Sequence, residues 1–474
     1  MTSEARLRTP YIPVGLAARK RDAAALFAAF VVLVFSMVFD FKADSSKGLG
    51  ALPLVFFGIY VAAFAYLFVV DTTRRYAMPG LMPFLLAVTV FVAVGSVSGL
   101  LNGQQPSDLG RIALPAVLYM ATAYATTRVV MTCDPAALRR LLAVAALAYV
   151  ISGFVVQRLV NGPIDFETVR FQILGGATIP AIGYLECMAL FGLTLTEIGA
   201  MGSAFVLLFL SITRTYLMSA AVQLAPLAAG ANRLIGPRLI AAIVVVSIFG
   251  VGFLVYGGEG VTRWTDRLYT QRTSSGEDYT LYTRQSEWDF MIKHFEETTQ
   301  TLVSGNGFAA VTTYYYPREV GGGSENSIGF GHSQHLSLLF IAGIAGGGTL
   351  LAVQFWQFFN AIMLLIRLAR SKFDGSDLLF LAAWGSSIII GCIVANFFSS
   401  IFNSRGWSLW YGVGTGLFIG ARARYLRELG MGLVHVVSTP GPVEPARGAS
   451  RPNVPPAVAR RRASLAQLQH SPNR

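Results

Sequence analysis

Charged residues are scarce in this sequence: they make up 13% of the 474 residues, whereas 54% are hydrophobic. Soluble domains carry roughly 25% charged residues, so the composition excludes a soluble globular protein. The apolar residues form runs of about 20 with few charges, which is the length of helix that crosses a bilayer. Because these runs are continuous and do not alternate with polar residues, they also exclude a transmembrane β-barrel. The sequence therefore predicts an all-α polytopic membrane protein.

Cysteine is rare as well. The three cysteines lie far apart, in or beside hydrophobic segments, at Cys133, Cys187 and Cys392. Their spacing forms neither a disulfide framework nor a metal-ligand set, and we interpret them as packing residues. The sequence also lacks a small-residue cleavage site behind the first apolar run, so we expect that run to remain in the protein as a helix.

The hydrophobic runs predict about twelve transmembrane helices. Their approximate ranges are 23–40, 50–70, 81–101, 112–131, 141–158, 178–197, 201–213, 215–231, 239–256, 346–368, 376–398 and 407–421. This count divides the chain into five parts. They are a cytoplasmic amino terminus (1–22), nine spans (23–256), a large helical periplasmic loop (257–333), an interfacial helix with the last three spans (334–421), and a basic, largely disordered cytoplasmic tail (422–474).

Negative charge is in the minority, and the net charge is +12. The basic residues do not form the stripe of a protein that binds nucleic acid. They lie in short clusters between the hydrophobic runs and in the tail. With twelve spans, all the clusters next to spans fall on one side of the membrane, which the positive-inside rule identifies as the cytoplasm. We expect both termini on that side.

Arg214 follows the seventh predicted span, in LLFLSITRTYLMSAAV. An arginine between apolar residues at membrane depth is costly and commonly marks a functional site. The short, interrupted helices on both sides favour a cavity at this depth. The alternative is an arginine at a helix end whose guanidinium group reaches the membrane surface.

Arg284 opens an amphipathic pattern in the large loop, TRQSEWDFMIKHFEETTQTLVSGNGF. Arg284, Trp288 and Ile292 recur at helical spacing on one face. The letters SGNG are typical of a helix end. We therefore expect one amphipathic helix from Arg284 to this signal, lying on the outer surface of the membrane. The alternative for Arg284 is an ordinary solvated arginine.

Two of the five histidines of the chain, His332 and His335, stand three residues apart in GHSQHLSLLFIAGIAGGG at 331–348. A histidine at the membrane interface can reach a cavity in the outer leaflet, and an imidazole accepts a proton near neutral pH. The glycines allow a bend or a close approach of helices. The alternative is that these histidines only anchor the helix.

In order, spacing and sidedness, these three positions resemble the signature of bacterial O-antigen ligases and related polysaccharide polymerases. The first motif is H-S-x9-G-x2-G, from His332 to Gly346. The second is T-R at Arg214, where serine is commoner than threonine. The third is Arg284-x3-Trp288 followed by G-x-G at 305–307. The resemblance covers residues 200–420 closely, and the amino-terminal half only as hydrophobic spans.

The resemblance implies a GT-C-like fold and a metal-independent glycosyltransferase without a cofactor, in the bacterial inner membrane. Its donor is a glycan carried on undecaprenyl diphosphate at the periplasmic face. A hydroxyl of the acceptor, lipid A–core or a similar glycan or glycolipid, attacks the anomeric carbon, and the diphosphate leaves. His332 takes the role of general base, and Arg214 and Arg284 bind the diphosphate, since guanidinium groups bind phosphate oxygens in bidentate fashion.

Five further residues are candidates for an assisting role. Trp288 belongs to the arginine motif. His335 lies one helical turn after His332 and is expected to share its face, where it assists or only packs. Arg405 and Arg170 contact phosphate or sugar, or else anchor the chain. Glu186 in the sixth span is a functional carboxylate or the ion-pair partner of an arginine on a neighbouring helix.

Two other functions remain open at this stage. A polysaccharide polymerase of the same superfamily shares all three motifs and differs from a ligase only in its acceptor. A transporter or flippase of lipid-linked oligosaccharides would also require arginines and about twelve spans. It predicts repeat symmetry and polar groups near the midplane on both faces, whereas the key groups here lie on the outer side.

Overall fold

A computed structural model describes residues 16–39, 51–69, 78–161, 177–191, 213–230, 278–317, 322–370 and 376–430, together with isolated residues between 237 and 265. Several sequence predictions lie outside these residues. They concern Arg170, nearly all of the predicted spans 201–213 and 239–256, and the carboxyl-terminal tail from residue 431. The residues described below belong to one compact unit, Met1–Val434.

The protein is predominantly helical. The first seven described helices are α1 (Leu16–Phe39), α2 (Ala51–Val69), α3 (Leu81–Leu101), α4 (Pro106–Thr132), α5 (Pro135–Asn161), α6 (Thr178–Phe191) and α7 (Arg214–Ala229). The polar segment, residues 278–333, contains α8 (Tyr279–Glu296) and α9 (Thr299–Ser304). After it come α10 (Gln334–Gly343), a π-helical turn (Ile344–Gly348), α11 (Thr349–Arg370), α12 (Asp377–Ala395), a 3-10 turn (Ile401–Asn403) and α13 (Arg405–Gly430).

Three helical segments of the described chain are long and apolar enough to cross a membrane: Leu81–Leu101, Gln334–Arg370 and Asp377–Ala395. The surface of the helices agrees with contact to lipid. Large apolar side chains stand exposed on it, including Phe35, Met82 and Phe359, which are 63%, 71% and 61% exposed. Lipid contact would remove the apolar surface of these side chains from water. The count of twelve spans and the GT-C-like fold stay predictions.

The core of the bundle is built around α12 and α13. Along α12, every residue from 378 to 395 is buried. Its polar contacts also fix neighbours: the indole of Trp384 donates to Pro180 O at 2.8 Å, and Gln223 donates to Ser387 O at 3.0 Å. Glycines spaced four apart on α13, at 412, 416 and 420, let it lie against the backbone of α4. Small residues at this spacing are typical of close helix packing in membranes.

The glycine-rich stretch after the histidines interrupts its helix; a bend was one of the two roles that the sequence allows for these glycines. Ala342 has non-helical angles (φ −127°), and Gly343 has φ +59°. A side chain at Gly343 would also meet Val303 O at 2.2 Å. Glycine is required here both for its backbone conformation and for its size.

The polar segment, residues 278–333, departs from the predicted single helix. It contains α8 (Tyr279–Glu296), a separate short helix α9 (Thr299–Ser304) and an antiparallel hairpin of β1 (Val311–Tyr315) and β2 (Ser324–Ile328). Because the capping box of Thr298 and Thr301 starts a new helix, α8 stops before it. The hairpin is a β element that the prediction of an all-α fold misses.

The G-x-G of the arginine motif docks the polar segment onto the bundle. Gly307 donates its N–H to Ile341 O at 2.8 Å, where α10 is interrupted, and Phe308 donates to Gly95 O at 2.9 Å. Gly305 and Gly307 have φ of +73° and +87°, and a Cβ added to them would meet backbone atoms of α10 and α3, respectively. This docking holds α8 and the hairpin in place beside the loop that carries His332.

Candidate functional site

A cavity of about 480 Å³ opens between α8, the hairpin and the loop before α10. Its lining residues are Tyr279, Thr280, Thr283 and Arg284 from α8, Tyr314, Tyr316 and Pro317 from the hairpin, and His332. The sequence predicts that His332 and Arg284 meet, although 48 positions separate them in the chain. The structure brings both of them to this cavity.

His332 is held by a buried carboxylate, that of Glu287. The Nδ1 of His332 lies 3.0 Å from Glu287 Oε2, and its backbone N–H donates to the same oxygen at 2.8 Å. The side chain of Glu287 is 1% exposed, whereas that of His332 is 42% exposed and lines the cavity. A carboxylate accepts hydrogen bonds and does not donate them, so the neutral form of this imidazole carries its proton on Nδ1 and its lone pair on Nε2. This arrangement suits a general base.

The fold makes room for this carboxylate at one glycine. On α8 only Glu287 and Met291 are buried. A side chain at Gly331 would meet Glu287 Oε1 at 2.7 Å and its Cδ at 2.9 Å. Glycine at 331 therefore lets the carboxylate lie directly against the backbone of the histidine loop.

The histidine loop is also tied to the connection between α12 and α13. Gln334 N donates to Asn396 O at 2.9 Å, and Gln334 Oε1 accepts from Ile401 N at 2.8 Å. Asn403 donates to Phe330 O at 2.9 Å. These contacts fix the backbone on both sides of His332, which limits the positions that its imidazole can adopt.

Arg284 lies on α8 one turn before the residue that binds His332. It is half-buried, and its guanidinium carbon lies 6.0 Å from the ring centroid of Phe398, in the same connection between α12 and α13. The cavity thus contains a guanidinium group and an imidazole. An anionic ligand and a proton donor can be bound side by side there.

Arg214 takes a different position from the one predicted. Its Nη1 pairs with Asp278 Oδ2 at 2.6 Å, and Arg214 is not among the residues that line the cavity. Asp278 is the N-cap of α8, and its Oδ1 accepts from the N–H groups of Thr280 and Leu281. Burial acts to raise the pKa of Asp278, but the hydrogen bond and charge of Arg214, together with the N–H groups of Leu281 and Thr280, outweigh it and lower that pKa. Arg214 therefore links α7 to the start of α8, next to the wall of the cavity.

The prediction that His332 and His335 share one helix face is wrong. His332 precedes the N-cap, Ser333, so helical spacing does not relate it to His335. His335 is buried; its Nε2 lies 3.2 Å from Ile393 O, and its ring packs against Phe397 at 4.5 Å between centroids. His335 faces the helix bundle, whereas His332 faces the cavity.

The other candidates also lie away from the cavity wall. The sequence places Arg284, Trp288 and Ile292 on one face of the helix. This face is not the buried face of α8, because Ile292 is exposed. Trp288 packs on the hydrophobic core. Arg405 begins α13, and Glu186 is buried on α6.

Glu186 forms no ion pair within the described residues, and its Oε2 has no hydrogen-bond partner there. The arginine expected as its partner is therefore not found among them. On the neighbouring helix α5, Arg139 pairs with Asp377 of α12 at 2.8 Å.

Sequence reasoning missed Glu287. It lies three residues after Arg284 and one before Trp288, inside the motif already singled out. The available signal was its spacing of four from Met291, which marks the buried face of α8. A glutamate in a helix of mixed polarity looks solvated until a tertiary contact shows its partner.

Within the described ranges, no three His, Cys, Asp or Glu side chains are grouped closely enough to hold a metal ion. The sequence matches no family model and no curated protein. The chemistry of the site therefore has to be inferred from its own residues.

Proposed function

We propose that this protein is a membrane glycosyltransferase that moves a glycan from a polyprenyl diphosphate carrier to a hydroxyl of an acceptor glycan. The observation that carries the proposal is the pair of Glu287 and His332, at 3.0 Å, beside Arg284 in one cavity. A base with a fixed tautomer next to a cation is what attack by a hydroxyl on a diphosphate-activated sugar requires.

In the proposed reaction, His332 Nε2 accepts the proton of the acceptor hydroxyl. The hydroxyl oxygen forms a bond to the anomeric carbon of the donor, and the bond from that carbon to the diphosphate oxygen breaks. The diphosphate leaves with the electron pair, and the guanidinium of Arg284 stabilises the charge that develops on it. Glu287 holds the imidazole and stabilises its protonated form, so its role is that of a positioning residue.

The membrane setting supports a lipid-linked donor. The apolar surface of the helices fits a protein embedded in lipid, and the cavity belongs to the polar segment docked on that bundle. A polyprenyl chain remains in the bilayer while its diphosphate sits at the surface. The positive-inside rule favours the outer side of the membrane for the polar segment. With the resemblance to bacterial O-antigen ligases, we propose that this side is the periplasmic face of the bacterial inner membrane. Arg214 lies beside the cavity wall, and in this proposal it contacts the diphosphate when its ion pair with Asp278 opens.

A purified, full-length protein in lipid nanodiscs tests this proposal. It is incubated with an undecaprenyl-diphosphate glycan, with and without lipid A–core. We expect transfer by the wild type and a loss of about 10² to 10⁴-fold in His332→Ala, the usual contribution of a general base. Glycan on the core identifies a ligase, and growth of the donor chain identifies a polymerase. Full transfer by a folded His332→Ala variant, or movement of the donor without transfer, overturns the proposal.

The arginine of the cavity gives a second test of the same reaction. Arg284→Ala is expected to weaken use of the donor, and Arg284→Lys is expected to restore little. Lysine keeps the charge but lacks the planar fork that binds two phosphate oxygens. Donor KM and kcat are measured for both variants, and a lysine variant as active as the wild type would exclude bidentate binding by Arg284.

A further inference from the structure

One face of the hairpin carries a cluster that the proposed reaction has not used. In the register of the two strands Tyr314 stands opposite Glu325. Tyr316, two residues on, points to the same face and donates its hydroxyl to Glu325 Oε2 at 2.5 Å. Tyr314 and Tyr316 pack edge to face, with ring centroids 5.6 Å apart. We call Tyr314, Tyr316 and Glu325 the hairpin triad.

The hairpin triad lies next to the base. The ring of Tyr314 meets that of His332 edge to face at 5.7 Å between centroids, and both tyrosines line the cavity. The strand is fixed to α8, because Tyr315 N donates to Ser286 Oγ at 2.9 Å. A ligand that rests on these tyrosines is therefore within reach of the imidazole.

The charge of the triad distinguishes it from the donor site. Hydrogen bonds from the hydroxyls of Tyr316 and Tyr314 lower the pKa of Glu325, so this carboxylate is ionised at neutral pH. An ionised carboxylate repels a diphosphate, whereas it accepts hydrogen bonds from sugar hydroxyls. Aromatic rings supply a flat apolar surface for the C–H face of a sugar ring. The diphosphate therefore belongs with Arg284, and an uncharged sugar fits the triad.

Building on the proposed function, we propose that the hairpin triad is the acceptor subsite: Tyr314 and Tyr316 stack on an uncharged sugar of the acceptor glycan, and Glu325 binds its hydroxyls. The acceptor hydroxyl is thereby placed beside His332, which must take its proton. The carboxylate also sets specificity, because it disfavours acceptors that carry uronic acids or other anionic sugars.

Binding without turnover tests this subsite. Maltohexaose serves as the neutral probe and hexagalacturonate as the acidic one, and saturation-transfer NMR with full-length protein in nanodiscs measures their dissociation constants without any donor. Tyr316→Ala is expected to weaken maltohexaose binding by about tenfold, since an aromatic contact of this kind contributes up to about 1.5 kcal/mol. Tyr315→Ala is the matched control: Tyr315, the last residue of β1, directly precedes Tyr316 and is also exposed, but it does not line the cavity.

Glu325→Gln is the specificity variant. It keeps an acceptor oxygen for Tyr316 and removes the charge, so it is expected to strengthen binding of hexagalacturonate and to leave maltohexaose nearly unchanged. Equal effects of Tyr315→Ala and Tyr316→Ala, a wild type that binds no maltohexaose, or unchanged discrimination in Glu325→Gln would each overturn the subsite. These results are independent of transfer: loss of transfer in His332→Ala with unaltered binding by the hairpin variants leaves the proposed function standing and removes the subsite alone.

Discussion

Helices α12 and α8 have nearly the same length, 19 and 18 residues, and opposite surroundings. In α12 every residue from 378 to 395 is buried, and its polar atoms bind neighbouring helices. In α8 only Glu287 and Met291 are buried. A buried helix made of apolar residues supports the fold, whereas a carboxylate buried on a helix whose other polar side chains are exposed or half-buried requires a specific partner. The comparison identifies α8 as the helix that serves the site, and Glu287 as its informative residue.

Glu287→Gln tests this difference most strongly. Glutamine keeps the shape of the side chain, but its amide group can donate a hydrogen bond to Nδ1 as well as accept one. It therefore no longer fixes the tautomer of His332. We expect kcat to fall by about a hundredfold with little change in either KM. Steady-state kinetics measures the split, and Glu287→Asp is expected to recover part of the rate. A rise in both KM values at unchanged kcat would assign Glu287 to substrate binding, and it would contradict the role of Glu287 as the residue that positions the base.

Gly331→Ala disturbs the same pair from the other side. The new methyl would stand 2.7 Å from Glu287 Oε1, so the carboxylate must shift. A displacement of a positioning group by a few tenths of an ångström is expected to lower kcat by about tenfold. Gly110→Ala is the control, because no atom lies within 4 Å of its added carbon. Equal activity of the two alanine variants would show that the position of the carboxylate is not critical.

Asp278→Asn weakens the start of α8 without touching the histidine pair. The pKa of Asp278 is lowered in the folded state, so its contribution to stability is present above the unfolded pKa of about 3.9 and is lost as the pH falls through the folded value. Asparagine can still cap the helix, so the variant loses only the charge: the ion pair with Arg214 and the attraction to the helix N-terminus. We expect it to lose up to about 1 kcal/mol of stability at pH 7, and less in acid. Thermal unfolding of both proteins is measured at pH 7 and at a pH below the folded pKa of Asp278, where the difference between them is expected to shrink.

Asp289→Asn is the control for that measurement, since Asp289 is an exposed carboxylate on the same helix. Its unfolding temperature is expected to match the wild type at both pH values. A difference between Asp278→Asn and the wild type that grows in acid would contradict the sign of the linkage.

His335→Ala is expected to have the smallest effect on the reaction. Its ring packs in the bundle and not in the cavity, so the variant loses stability while the kcat of the folded protein stays within about twofold. Thermal unfolding and kcat are measured on the same preparation. A loss of kcat as large as that of His332→Ala would give the two histidines a common role.

Hydrophobic runs predict helix positions well, because burial in lipid acts over the whole run. The third span, predicted at 81–101, is the helix Leu81–Leu101. The hairpin was missed, since its second strand, SENSI, has no apolar alternation and is stabilised by pairing with β1, which is itself fixed to α8. The proximity of Arg284 and His332 was expected from the resemblance to a known family. The ion pair of Arg214 with Asp278 was not expected, because no motif of the sequence links these two residues and only the folded chain brings them together.

The most direct measurement of the central claim is a double-mutant cycle between Glu287 and His332. The kcat for glycan transfer is compared in Glu287→Gln, His332→Ala and the double variant. If Glu287 acts only by holding the base, its substitution costs nothing further once His332 is absent, and the double variant equals His332→Ala within about twofold. An additional loss of about a hundredfold in the double variant would show that the two residues act independently, which contradicts the assignment of the base.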